Sequence, residues 1–131
     1  MRSRQPVIVP HTDGTGSVGV ITAHVDFSKA PGDAGITVTL ITYGERKAGG
    51  NEYQPLSDAA YARIQADVDI VGELFVDTVA RNRGLMVAKV RDTQAATFLG
   101  SSGLDAGFAD AVMAPDAAFL SLLGALTPSF A

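Results

Sequence analysis

The sequence predicts an α/β protein in which a short, mostly parallel sheet accompanies one long helix. Three observations carry this expectation. An apolar face recurs at helical spacing from Asp58 to about Arg83. Two β-branched runs, Ser17 to Val25 and Ile36 to Tyr43, precede it and read as strands. The stretch between them, Asp26 to Ala34, has the size of a crossover within one layer.

Length and composition bound the rest. The chain has 131 residues, 47% of them apolar and 18% charged, which suits one globular domain over residues 1–131 with a real core. A net charge of -4 argues against a nucleic-acid surface, which is normally basic. The absence of cysteine removes disulfides, thiolate metal sites and a cysteine nucleophile. No apolar run has the length of a signal peptide or of a membrane span, so the chain is read as cytoplasmic. No cofactor motif is present. His11 and His24 are the only histidines, and no metal site is expected of them; His24 packs or sits at a strand end.

In chain order, Val7-Ile8-Val9 is a short strand ended by Pro10, and its partner must come from later in the chain or from another chain. Residues 11–16 form a turn cluster. Gly14 and Gly16 do not make a phosphate loop, because the following run is a strand and not a helix. Gly19, inside that strand, predicts close approach of another backbone. Ser57 is the N-cap of the long helix and Gly84 its C′ residue. The predicted apolar face is Ala60, Ile64, Val68, Val71, Phe75 and Val79. Gly72 costs about 1 kcal/mol in a helix interior and predicts a close neighbour there. A short helix over 87–93, a strand over 96–99, a helical turn over 100–107 and a terminal helix from Pro115 complete the reading. That last helix and tail, residues 115–131, carry an apolar patch that must dock on the domain or on another subunit.

The centre of the chain is Gly35 to Ser57. Its strand is stopped by Gly44, and a polar loop follows with one lysine, Lys47, before Gly49-Gly50-Asn51. A lysine there is either a placed base at a buried strand end or a solvated loop charge. Composition leaves both open.

The order of several strings narrows the choice. T-G-S-V-G-V-I-T-A-H-V-D (Thr15 to Asp26) is followed by G-E-R-K-A-G-G-N-E-Y-Q-P-L-S-D (Gly44 to Asp58). After the long helix come R-N-R-G-L (Arg81 to Leu85), A-A-T-F-L-G (Ala95 to Gly100) and G-F-A-D-A-V (Gly107 to Val112). Together they resemble the carboxy-terminal half of the signal-peptide-peptidase family of serine proteases, which includes protease IV and the phage head-maturation proteases. The spacing is most similar to the phage and prophage branch, and the resemblance covers about residues 7–112.

The resemblance implies a partial crotonase/Clp-protease-like fold and a Ser/Lys dyad. Lys47 falls at the family's general-base lysine, and Ser17 at the second hydroxyl that orients it. A lysine base must be partly neutral near pH 7, so burial must lower its pKa by roughly two or three units from about 10.4. The family's nucleophile lies in an A-A-S-A-A-Y-like segment and its oxyanion hole in an S-P-G-G turn. This sequence contains neither, and Ser101, Ser102 and Ser121 stand in no matching context. Glu45 and Arg46 replace a small residue and a histidine before the lysine, Met86 replaces a helix cap, and Ser102-Gly103 replaces Glu-Ala.

Two functions follow as expectations. The chain is an endopeptidase half with a polypeptide substrate, inactive alone, either because its reading frame is truncated or because a separate chain supplies the serine. Alternatively it is a non-catalytic scaffold or oligomerisation module of phage procapsid assembly, with capsid or scaffold proteins as partners, inside the procapsid. Uncovered strands in either case predict self-association into a homo-oligomer.

Overall fold

Nine short or long elements follow one another in the computed structural model, which describes residues 5–126. They are β1 (Ile8–Val9), β2 (Gly14–Gly16), α1 (Ala30–Asp33), α2 (Asp58–Arg83), α3 (Val87–Arg91), β3 (Thr97–Leu99), α4 (Ser101–Ala106), β4 (Ala111–Val112) and α5 (Pro115–Leu126). The class is mixed α/β with a parallel strand pair and one long helix, consistent with a partial Clp-protease-like fold. The described residues fall into two compact units. One holds the chain up to Gly19 and from Leu74 on, and the other is Val20–Glu73.

The first unit contains both sheets. β1 pairs in parallel with β4, Ile8 opposite Ala111 and Val9 opposite Val112, so the first strand does find its partner late in the chain. β2 pairs antiparallel with β3, from Gly14 opposite Leu99 to Gly16 opposite Thr97. Residues 14–16, expected as a turn, are therefore a strand, because Thr97–Leu99 supplies the ladder that local sequence could not reveal. Beyond it the chain packs on the turn before β3. Ser17 N donates to the Ala96 carbonyl at 2.9 Å, and a Cβ on Gly19 would lie 2.7 Å from Ala95 Cβ, the close approach expected of that glycine.

Val18, Val76, Ala80, Val90 and Phe108 form the core of this unit, with Val79, Leu85, Phe98 and Ala106 packed against it. Phe98 and Phe108 meet at 5.7 Å between ring centroids, tilted by 46°. An ion pair closes the unit's edge. Arg83 donates to both carboxylate oxygens of Asp110, at 2.8 and 3.1 Å, and to the Gly107 carbonyl at 2.8 Å. Asp110 Oδ2 also accepts the Val7 N–H at 2.8 Å, and Asp110 N donates to the Val7 carbonyl at 2.8 Å. The end of α2 is thereby tied to both strands of the parallel pair. The side chains are only 10% and 24% exposed, so the pair lies between the exposed and buried cases. A double-mutant cycle of Arg83→Ala and Asp110→Ala, read by urea unfolding, is expected to give a coupling of about 1–2 kcal/mol.

Helix α2 begins and ends where its caps predict. Ser57 Oγ accepts the Ala60 N–H at 3.2 Å, and Gly84 takes φ +68° after Arg83. Its buried line differs from the expected one. Ala60 is buried and Ile64 and Val68 are half-buried, but in the second half Val76 and Ala80 are buried while Val71 and Phe75 are exposed. The small side chains at 76 and 80 fit against Val18, Val90 and Phe108. Gly72 has nothing within 4 Å of a would-be Cβ, so no close neighbour explains it.

The second unit departs most from expectation. Neither Ser17–Val25 nor Ile36–Tyr43 is a strand. Among the described residues, no main-chain hydrogen bond joins 18–25 or 37–43 to any other segment. Ile21 is 93% and Ile41 94% exposed. β-branched composition marks a chain that fits a half-buried pleated surface, but a strand exists only where another backbone completes its ladder. The expected buried strand end before Lys47 is accordingly exposed chain. The nine-residue crossover holds one helical turn, α1, starting on Ala30-Pro31.

Helix α5 forms as expected, yet Phe119, Leu120, Leu122, Leu123 and Leu126 are exposed and none of its residues is buried. Phe119, Leu122 and Leu126 line an open hollow of about 570 Å³ together with Gln5, Pro6 and Ile8; residues 127–131 of the expected tail lie outside the described residues.

Candidate functional site

Lys47 belongs to the unit Val20–Glu73, on a loop built from three linked turns. Lys47 N donates to the Gly44 carbonyl, Gly49 N to Arg46 and Asn51 N to Ala48, each at 3.1 Å. Gly44 and Gly50 take the positive φ angles, +94° and +88°, that let so short a loop reverse twice. Gly49 lies against Ala60 and Arg63 of α2. An open hollow of about 560 Å³ is lined by Tyr43, Gly44, Glu45, Arg46 and Lys47. The Lys47 side chain is exposed, and among the described residues it makes no hydrogen bond or ion pair. The burial expected of a lysine base is thus absent from its own unit, because the strand that should have carried it into a core has no ladder. Arg46 is exposed beside it and has no ion pair among the described residues.

Ser17 belongs to the other unit. It follows β2 with its backbone at φ +53°, a left-handed conformation uncommon for a residue with a Cβ. The Ala96 carbonyl holds it there through the 2.9 Å bond to its N–H. Such strain persists only where the surroundings over-determine it, and it clusters at functional positions. The side chain is exposed.

Two residues outside the predicted site organise the lysine loop. Asn51 donates through Nδ2 to the Ala48 carbonyl at 2.6 Å and to Gln54 Oε1 at 3.2 Å, and its Oδ1 accepts the Tyr53 N–H at 2.9 Å. Its own carbonyl accepts from His24 Nε2 at 2.9 Å. His24 is therefore a loop partner and not part of a strand. The legible signal was an asparagine after Gly-Gly, a residue that bonds its local backbone in turns. Nearby, Asp26 Oδ1 accepts the Ser28 N–H at 2.8 Å, and the hydrogen bonds from Ser28 hold this carboxyl below its ordinary pKa. Among the described residues no three of His, Asp or Glu are grouped as a metal would require, and no helix is long and apolar enough to cross a membrane.

The sequence strings meet in pairs. T-G-S-V-G lies on A-A-T-F-L-G through the β2–β3 ladder, and R-N-R-G-L joins G-F-A-D-A-V through Arg83 and Asp110. A-H-V-D joins G-G-N-E-Y through His24 and Asn51, and through Phe27 N donating to the Glu52 carbonyl at 2.7 Å.

The model of peptidase family S49 matches residues 5–124. The capsid assembly protease C of Escherichia phage lambda is 38% identical over 103 residues, which are 79% of this chain and 24% of that protein. The head-tail preconnector protein GP5 of Enterobacteria phage P21 is 37% identical over 103 residues, 79% of this chain and 21% of that protein. The chain thus spans less than a quarter of the length of these relatives.

Proposed function

The chain belongs to peptidase family S49, in its phage head-maturation branch, and from that premise we propose that it is the lysine-bearing, carboxy-terminal half of a single Ser/Lys endopeptidase domain. Lys47 is the general base and Ser17 the hydroxyl that orients it. The nucleophilic serine and the oxyanion-hole turn come from a second segment. The substrate is polypeptide, and capsid or scaffold proteins within the phage procapsid are its natural source.

The observation that carries this reading is the pair of unladdered segments that precede the Lys47 loop. Residues 18–25 and 37–43 have the composition of buried strands, exposed isoleucines and, among the described residues, no main-chain hydrogen-bond partner. Exposed main-chain donors and acceptors beside apolar side chains fit strands awaiting a partner. Covering them would also take Lys47 out of water, the desolvation its chemistry requires. The neutral amine of Lys47 then accepts the serine proton as the hydroxyl oxygen attacks the peptide carbonyl. It returns that proton to the leaving amine as the C–N bond breaks. Water, deprotonated by the same amine, hydrolyses the acyl ester.

The test is peptidase activity on an unstructured protein, for the chain alone and mixed with a separately expressed segment bearing the A-A-S-A-A-Y and S-P-G-G strings. Activity is expected only in the mixture. Activity of the chain alone would mean that another nucleophile operates; silence in both would favour the second reading.

That second reading is a non-catalytic assembly module, favoured by the exposed leucines and phenylalanine of α5. A surface helix of this apolarity fits contact with another chain. Sedimentation that shows self-association, lost on Leu122→Glu in α5 while the mixture stays inactive, would select it. A clean monomer at high concentration would count against it.

A further inference from the structure

We propose that His24 is a positioning residue that holds Lys47 in register by clamping the far end of its loop. The inference rests on Lys47 being the base, and goes beyond it by naming what places that base.

The loop's internal bonds do not anchor it. Its three turns join 44 to 47, 46 to 49 and 48 to 51, so each shares residues with the next, and a displacement at Asn51 is passed back to Lys47. The side chain of Asn51 reaches only Ala48, Tyr53 and Gln54, all local. Among the described residues two hydrogen bonds tie residues 44–54 to a segment distant in sequence. They are His24 Nε2 to the Asn51 carbonyl, at 2.9 Å, and Phe27 N to the Glu52 carbonyl, at 2.7 Å. The second is main chain and insensitive to residue type. The first depends on the imidazole.

The chemistry of that bond is restrictive. A carbonyl oxygen only accepts, so Nε2 must carry the proton. The same N–H is present in the imidazolium ion, so the bond needs no particular charge state. His24 is half-buried, which shields the bond from competing water. Glutamine can place an amide N–H near the position of Nε2, and alanine cannot.

Four readouts on the 131-residue chain and its mixture with the serine-bearing segment decide the matter. In the chain alone, His24→Ala is expected to speed amide hydrogen exchange across 47–53 and to shift the Lys47 amide resonance. His24→Gln is expected to restore both. Nitrogen-detected resonances of His24 are expected to show the Nε2–H tautomer in the neutral ring. In the mixture, His24→Ala is expected to lower kcat by roughly ten- to a hundredfold with KM little changed, since misplacement of a reacting group by about 1 Å costs on that order, and His24→Gln recovers most of it. Unchanged exchange in His24→Ala overturns the clamp. A loosened loop with undiminished kcat overturns the positioning role. An inactive wild-type mixture removes the peptidase reading instead, and exchange and the Lys47 resonance then decide by themselves whether His24 places the loop.

Discussion

Lys47→Ala is expected to reduce the peptidase activity of the mixed halves by roughly 10²–10⁴-fold, the range general-base catalysis contributes. Lys47→Arg separates this from a charge effect. A guanidinium keeps the positive charge but is not deprotonated in proteins, so it cannot take the serine proton. If Lys47 is the base, arginine is as inactive as alanine. If it is a solvated loop charge, arginine is tolerated. The fold is expected to be indifferent to both changes, within about 0.5 kcal/mol, because the side chain is exposed and makes no ion pair among the described residues. Turnover of a peptide substrate, paired with urea unfolding of each variant, measures both at once. An arginine variant with wild-type turnover would falsify the assignment.

Phe108→Ala is expected to cost about 3–5 kcal/mol, the range for emptying a buried aromatic site. The ring is 6% exposed and stands at the centre of the first unit's core, against Phe98, with Val18, Val76, Ala80 and Val90 in the same cluster. These residues come from distant parts of the chain, so one cavity loosens several elements together. A domain holds only about 5–15 kcal/mol in all, and this loss takes much of it. The fully exposed Tyr43 is the control; its replacement by alanine is expected to change stability by less than about 0.5 kcal/mol. Urea unfolding followed by circular dichroism reads the difference. Equal midpoints for the two variants would show that the core described here does not carry the fold.

The contrast between these two residues shows what was readable in advance. Lys47 stood out only through the order of strings around it, because a lone lysine in a glycine-rich loop carries no chemistry of its own. Phe108 was one apolar residue among many until Phe98 and Val90 were seen beside it. His24 and Asn51 are 27 positions apart, and their bond left no local mark.

The sequence alone determined what depends on neighbours within a few residues. Ser57 and Gly84 bound the long helix because caps are local, and the short elements over 87–107 and the terminal helix followed from spacing and glycine placement. The order of its strings also placed the chain in its family. Tertiary structure alone decided which backbone completes which. Gly14–Gly16 became a strand because Thr97–Leu99 lies alongside, whereas Val20–Val25 and Ile36–Tyr43, richer in strand formers, did not. The reason is that half of a strand's hydrogen bonds belong to its partner, and no pattern within one segment states whether that partner is there.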